Sequence, residues 1–321
     1  MHCSMSLMAT ATSMEQQTTG QLTIFATSAF SAHALVSTVL VIQAVVLSVA
    51  KPPMSKFADV FGRFEAFTAA VVIYSLGYIM QGTSSSIGTY TMAQILYATG
   101  QTGLQVLIQV FIADTSTLVN RALISTISDV PFLFTFWVGP PIAQAVLPNW
   151  RLGYWVWAIV LPGAFLPLAL TLFFNQQRAA KFGLLPPSPL MGRSTSSMLK
   201  NLWFELDALG LLLISGSVAL ILIPLSLARS SSWKDPSLIA MLAVGVTCLI
   251  TVPFVERSKR LAPRPFFPRG LFRNKSVVAG LGIPFFYFSE YAKRALFLFL
   301  LTTLQWPFTY LSILTFSPTY L

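Results

Sequence analysis

Apolar residues in this chain gather into runs of about 20, the length a helix needs to cross the hydrocarbon core of a bilayer. The runs fall at roughly 33–50, 66–83, 89–112, 126–147, 153–174, 207–228, 237–255 and 276–301, with short polar connections between them. This pattern predicts an all-α, polytopic transmembrane helix bundle of about eight spans. Residues 1–32 differ: they are rich in Thr, Ser and Met, hold Glu15, Gln16 and Gln17 near their centre, and contain no full-length apolar run. Residues 302–321 are apolar but broken by Pro307 and Pro318. The longest polar connection, 175–206, carries Pro186-Pro187 and a Ser-rich tail. The organisation expected is therefore an N-terminal segment 1–32, a first helical lobe 33–174, a linker 175–206, and a second helical region 207–321 with a divergent tail.

Composition supports lipid as the solvent. Of 321 residues, 55% are hydrophobic and 9% charged, against about 25% charged in soluble domains. The formal net charge of +10 would raise nucleic acid as a partner for a soluble protein. Here the basic residues lie in the connections, where they act as orientation signals, and no nucleic-acid partner is expected. Residues 51–65, 175–205 and 256–275 carry that basic excess and are placed on the cytoplasmic side, and 113–125, with Arg121, falls on that side too. Arg151 and the basic residues of the 229–235 turn oppose the assignment. With 51–65 inside, the 33–50 run travels from outside to inside, so the N-terminus lies outside or an earlier span is missing.

Little in the chain suggests catalysis. Its two histidines and two cysteines are scattered, with no metal-ligand spacing, nucleophile elbow or phosphate-cradling loop. The expectation is a non-enzyme without cofactor or metal.

The most informative stretch is Lys51-Pro-Pro-Met-Ser-Lys56-Phe-Ala-Asp59-Val-Phe-Gly62-Arg63, between two apolar runs. Gly62 permits a tight turn, and Asp59 and Arg63 can pair or dock on a helix end. An ordinary charged loop and a conformational latch both fit. Ser55 to Arg63 resembles the loop signature of the major facilitator superfamily, G-x-L-A-D-R-x-G-R-R, with Asp59, Gly62 and Arg63 matching. Ser55, Val60 and Phe64 depart from it. Gly139-Pro140 resembles the Gly-Pro motif of the fifth family helix, Trp150-Arg151 its opening of the sixth, and Asp207-Ala-Leu-Gly210 the seventh in the fourteen-span branch. Ala50-Lys-Pro-Pro53, Phe111-Ile-Ala-Asp114-Thr-Ser, Asn120-Arg121-Ala-Leu and Gly139-Pro-Pro-Ile142 are similar to fungal siderophore–iron transporters.

The resemblance covers roughly residues 13–288. It makes 33–50 the family's second helix and Met14–Thr19 the close of the first, most of which is then absent. After Phe288 the likeness stops, with Glu290, Lys293 and Arg294 inside an expected span. The chain is thus expected to be an incomplete product, truncated at both ends.

By implication, a complete relative takes up a ferric siderophore chelate by proton symport. It rocks between outward and inward states, in the plasma membrane or in an endosomal or vesicular one. The implied latch is Asp59, Gly62 and Arg63, with Asp114, Asn120 and Arg121 in the next cytoplasmic connection and Gly139 and Pro140 in helix packing or gating. From spacing alone, Gln94, Tyr97, Gln101, Gln105 and Gln109 share one helix face. Lipid-exposed amides are costly, so that face points inward, either lining a substrate path or bonding neighbouring helices. Of two candidate proton carriers, Glu15 and Asp129, Glu15 is the better, since Asp129 is placed to cap a helix. The expected partners are ferric siderophore, protons and the lipid bilayer. Two other readings fit the same composition: a drug or toxin exporter of the superfamily, and a non-transporting regulatory or decayed membrane protein.

Overall fold

The computed structural model describes residues 2–30, 36–117, 119–183, 202–227 and 235–258, with isolated positions after them. The expected span at 276–301, the 302–321 tail and most of the linker lie outside the described residues. The described helices belong to one compact unit, Met1–Phe266. They are α1 (His2–Ala29), α2 (Val36–Val49), α3 (Lys51–Phe61), α4 (Arg63–Thr83), α5 (Ile87–Thr115), α6 (Arg121–Asp129), α7 (Pro131–Val146), α8 (Trp150–Lys181), α9 (Ala208–Leu227) and α10 (Pro236–Arg257). Among the described residues seven stretches are long and apolar enough to cross a membrane, α2 with α3 and α6 with α7 each counting as one. The chain is thus an all-α polytopic bundle.

The sequence read 51–61 as a connection, but it is helical. Ala50 N donates to Val46 O and Met54 N to Ala50 O, so the backbone ladder runs from α2 into α3. Pro52 and Pro53 sit in the first turn of α3, where a missing N–H costs little. The break comes at Gly62, whose φ of 108° is open to glycine and strained for other residues.

The second difference is α1. Residues 1–32 read as the end of an absent helix, yet His2–Ala29 forms one helix of 28 residues, about 42 Å long at 1.5 Å per residue. Its hydroxyls are satisfied along the helix: Thr18 Oγ1 donates to Met14 O (2.8 Å), Thr23 Oγ1 to Thr19 O (3.0 Å) and Thr27 Oγ1 to Thr23 O (2.9 Å). Back-bonding of this kind lets a Thr-rich helix sit among apolar neighbours. α1 packs against α7 and α8, while α4 packs against α5 and α8.

Elsewhere the helix ends follow local chemistry. Ser86 and Thr89 form a capping box on α5, and Asp235 caps α10 through Ser237 N (3.1 Å). The Asp207-x-x-Gly210 motif places the Asp207 carboxylate on Gly210 N (3.3 Å) at the start of α9. α8 continues through residue 181, so the start of the expected linker is helical. Arg151, out of place on charge grounds, donates to Ser84 O (3.0 Å) and lies over the Trp150 ring, 5.1 Å from its centroid. That end of the bundle holds it for structural reasons.

Candidate functional site

Apolar burial does little to bring helices together in lipid, so close backbone approach and polar contacts decide the packing. α4 and α5 approach through paired glycines. A Cβ on Gly77 would lie 2.6 Å from Tyr97 N, and one on Gly100 would lie 2.5 Å from Tyr74 N. The same contacts bring the Tyr74 and Tyr97 rings together, stacked with centroids 5.2 Å apart. Tyr78 meets the Tyr97 ring edge-on at 5.3 Å.

This tyrosine cluster closes around Glu15 of α1. Tyr74 and Tyr78 donate from α4 to the two carboxylate oxygens. Tyr97 Oη donates from α5 at 3.2 Å, and Thr19 Oγ1 at 2.8 Å. Glu15 is fully buried. Behind it, Tyr154 of α8 stacks on Tyr78 and shares a hydrogen bond with Tyr90 (2.9 Å). α1 is held to α7 by Ser13 and Thr135 (3.0 Å) and by Gly139, where a Cβ would lie 2.5 Å from Gln17 Cβ.

Two cavities are lined by donors to Glu15, although Glu15 itself lines neither. The smaller, about 210 Å³, lies among α1, α2, α4, α5 and α8; Thr19, Gln43, Gln81, Gln94, Tyr97 and Gln101 line it. The larger, about 520 Å³, is lined by Thr12, Lys51, Tyr74, Gln101, Gln105, Gln109 and Asp129. Gln16 and Gln101 border both.

The structure thus brings Gln94, Tyr97, Gln101 and Gln105 onto one cavity-facing strip. Their roles differ: Gln94 Nε2 bonds Tyr90 Oη on its own helix (3.0 Å), and Gln105 is exposed within the larger cavity. Asp129 ends α6 and faces that cavity; Val130 is the N-cap of α7, without a side-chain cap. The expected capping role for Asp129 is therefore corrected. Tyr74, Tyr78 and Gln81 were missed by the sequence reading. Their signal was the four-residue spacing of Tyr74 and Tyr78 on one apolar helix face.

At the opposite end of α4, Arg63 Nη1 meets Asp59 Oδ1 at 2.7 Å and its Nε meets Asp114 Oδ2 at 3.0 Å. One guanidinium thereby ties α3 and α5 to the start of α4. Arg121 Nη2 donates to Ala113 O (2.9 Å), fastening α6 to the end of α5, and Asn120 is the α6 N-cap without a side-chain bond. Gln176 of α8 reaches Glu65 of α4 at 2.5 Å. Pro140 and Pro141 lie inside α7, next to the Gly139 contact.

No protein-family model matches the chain. Among characterised proteins, the siderophore iron transporter mirC of Emericella nidulans is 50% identical over 294 residues, covering 90% of this chain and 48% of that protein. The MFS siderochrome iron transporter C of Aspergillus fumigatus matches at 50% identity over the same shares. Siderophore iron transporter 2 of Schizosaccharomyces pombe is 38% identical over 293 residues, covering 89% of this chain and 49% of its own length. The chain belongs to the fungal siderophore iron transporter family. It spans about half the length of these relatives. With family and apolar helices in agreement, it is a multi-pass membrane protein.

Proposed function

We propose that the chain takes part in moving ferric siderophore chelates across a membrane, coupled to proton uptake at Glu15. The observation that carries this reading is the position of Glu15, a fully buried acid whose hydrogen-bond donors Thr19, Tyr97 and Tyr74 line two cavities in a transporter-family bundle. Ionisable groups inside membrane bundles are costly and mark ion or substrate pathways. The glutamine and tyrosine strip of α5 offers amide and phenol contacts to a bulky polar chelate. Lys51 and Asp129 place one charge of each sign at the larger cavity, which suits a chelate of low net charge. In this reading the chain supplies one wall of the substrate path.

The paired Arg63, Asp59 and Asp114 form a latch that holds α3, α4 and α5 together at one end during rocking. Gly139, beside Pro140, lets α1 and α7 slide in contact. The basic connections place the latch on the cytoplasmic side, and the plasma membrane fits uptake of an external chelate.

The test is uptake of a radiolabelled ferric siderophore by yeast lacking its own siderophore transporters. Cells expressing the chain should accumulate label more at acidic than at neutral external pH, and Glu15→Gln should remove that dependence. Label at background in cells that carry the protein in their membranes would sink the transport reading. Uptake with unchanged pH dependence in Glu15→Gln would sink the coupling role alone.

A further inference from the structure

The smaller cavity has more polar groups than its protein walls satisfy. Gln81 is 1% exposed, and neither its Nε2 nor its Oε1 has a protein partner; the Oε1 atoms of Gln94 and Gln101 also lack one. Buried polar atoms in native proteins find partners. A polar space of about 210 Å³ is ample for several waters, each needing two to four such partners. Among the described residues no charged side chain lines it, so nothing there competes for an arriving proton.

Its walls also touch the acid. Thr19 and Tyr97 line this cavity and donate hydrogen bonds to Glu15. Tyr74, another donor to Glu15, lines the larger cavity. The cavities follow one another along the bundle. On α1 the smaller is bordered by Gln16 to Thr23 and the larger by Ala9 to Gln16; on α5 the smaller runs from Gln94 to Gln101 and the larger from Gln101 to Val110. Glu15 and its tyrosines stand at the junction, with the smaller cavity towards the 84–88 turn.

We propose that the smaller cavity is a water-filled antechamber that delivers protons to Glu15 from the 84–88 end, with Tyr97 and Tyr74 as the two faces of a septum. The proposal rests on Glu15 being the proton-carrying acid and adds the route and its residues. A protonated water gives its proton to the Tyr97 or Thr19 hydroxyl oxygen, and that hydroxyl passes its own proton to the carboxylate. Release runs the same way through the Tyr74 hydroxyl to water in the larger cavity. Each hydroxyl ends with the proton count it began with, and the carboxylate is regenerated. The titratable groups facing Glu15 are Tyr74 and Tyr78 from α4 and Tyr97 from α5, with Tyr154 of α8 behind Tyr78; α7 presents the non-titrating Thr135. Lys51 and Asp129 are the charged groups of the larger cavity.

Gly20 provides the means to plug the antechamber. It lies in the wall, on a helix, and a Cβ there meets nothing within 4 Å. Gly20→Leu therefore adds bulk at the cavity wall with no clash at its Cβ. Gln81→Leu removes an amide that has no protein partner, so no protein hydrogen bond is lost with it. The experiment follows the Glu15 carboxyl by infrared spectroscopy after dilution of nanodisc-embedded chain into deuterated buffer, with the band assigned by its loss in Glu15→Gln. Exchange should slow by an order of magnitude in Gly20→Leu and measurably in Gln81→Leu. Exchange at the wild-type rate in Gln81→Leu and in any folded Gly20→Leu overturns the proposal. Because the readout is exchange and not uptake, this failure is separable from failure of Glu15 as the coupling acid.

Discussion

Gly100 lies so near Tyr74 that an added Cβ would sit 2.5 Å from the Tyr74 amide nitrogen. Backbone cannot yield there as a flexible side chain would, so Gly100→Ala must push α4 and α5 apart. Overpacking of this kind costs about 1–3 kcal/mol, and the Tyr74 and Tyr97 stack loosens with it. Thermal unfolding in detergent should show a lower midpoint for Gly100→Ala. Gly163→Ala, where a Cβ meets nothing within 4 Å, should hold or raise it, because alanine favours the helix by about 1 kcal/mol. Equal midpoints for the two variants would contradict the close approach of α4 and α5.

Removing the Glu15 side chain strands its donors. Glu15→Ala leaves the Tyr74, Tyr78 and Tyr97 hydroxyls without their acceptor in a buried site, at about 1–3 kcal/mol for each left unsatisfied. Glu15→Gln keeps one carbonyl acceptor and fits the same space. The expected order of stability by thermal or denaturant unfolding is wild type, then Glu15→Gln, then Glu15→Ala. A Glu15→Ala protein as stable as wild type would show that the phenols find other partners.

The ion pairs of Arg63 are half-exposed, with side-chain exposures of 31%, 57% and 48% for Arg63, Asp59 and Asp114. Such pairs contribute about 0–1 kcal/mol to stability, so Asp114→Asn should barely move the unfolding midpoint. Its effect should be local, freeing α3 from α5 and exposing Lys56 to trypsin. Faster cleavage after Lys56, followed by mass spectrometry, is the expected result. Arg63→Lys should behave alike, since an ammonium lacks the fork that meets two carboxylates at once. A cleavage rate unchanged in both variants would remove the latch role.

Arg151 joins a charged hydrogen bond to Ser84 O with a cation–π contact to Trp150. Arg151→Met keeps much of the apolar stem and loses both contacts, for an expected destabilisation of about 2–3 kcal/mol from typical charged bonds and cation–π pairs. Arg151→Lys should fall between. Unfolding midpoints measured in one detergent will order the three, and a neutral Arg151→Met would show that these two contacts add nothing to stability.

The described spans were legible in the sequence because a bilayer imposes length and apolarity on each segment, independently of its neighbours. The turn at Gly62 and the pairing of Asp59 with Arg63 were legible too, since these residues are close in sequence. α1 was not: its threonines and serines lower its apolarity, and only their hydrogen bonds to the preceding turn make it a helix fit for the bundle. The junction of α2 and α3 was misread because Lys51, Pro52 and Pro53 carry the marks of a connection, while prolines in a first helical turn leave the ladder below them intact. Asp129 looked like a cap because it precedes Pro131, yet the helix break falls one residue later.

By itself the sequence determined the solvent, the helical class and the family, because apolar run length, charge placement and local motifs are properties of neighbouring residues. The tertiary structure decided what surrounds Glu15. Tyr74, Tyr78 and Tyr97 come from two other helices, 59, 63 and 82 positions from Glu15, and meet it only because Gly77 and Gly100 let α4 and α5 touch. Packing that depends on a missing Cβ leaves no periodicity to read along a single chain.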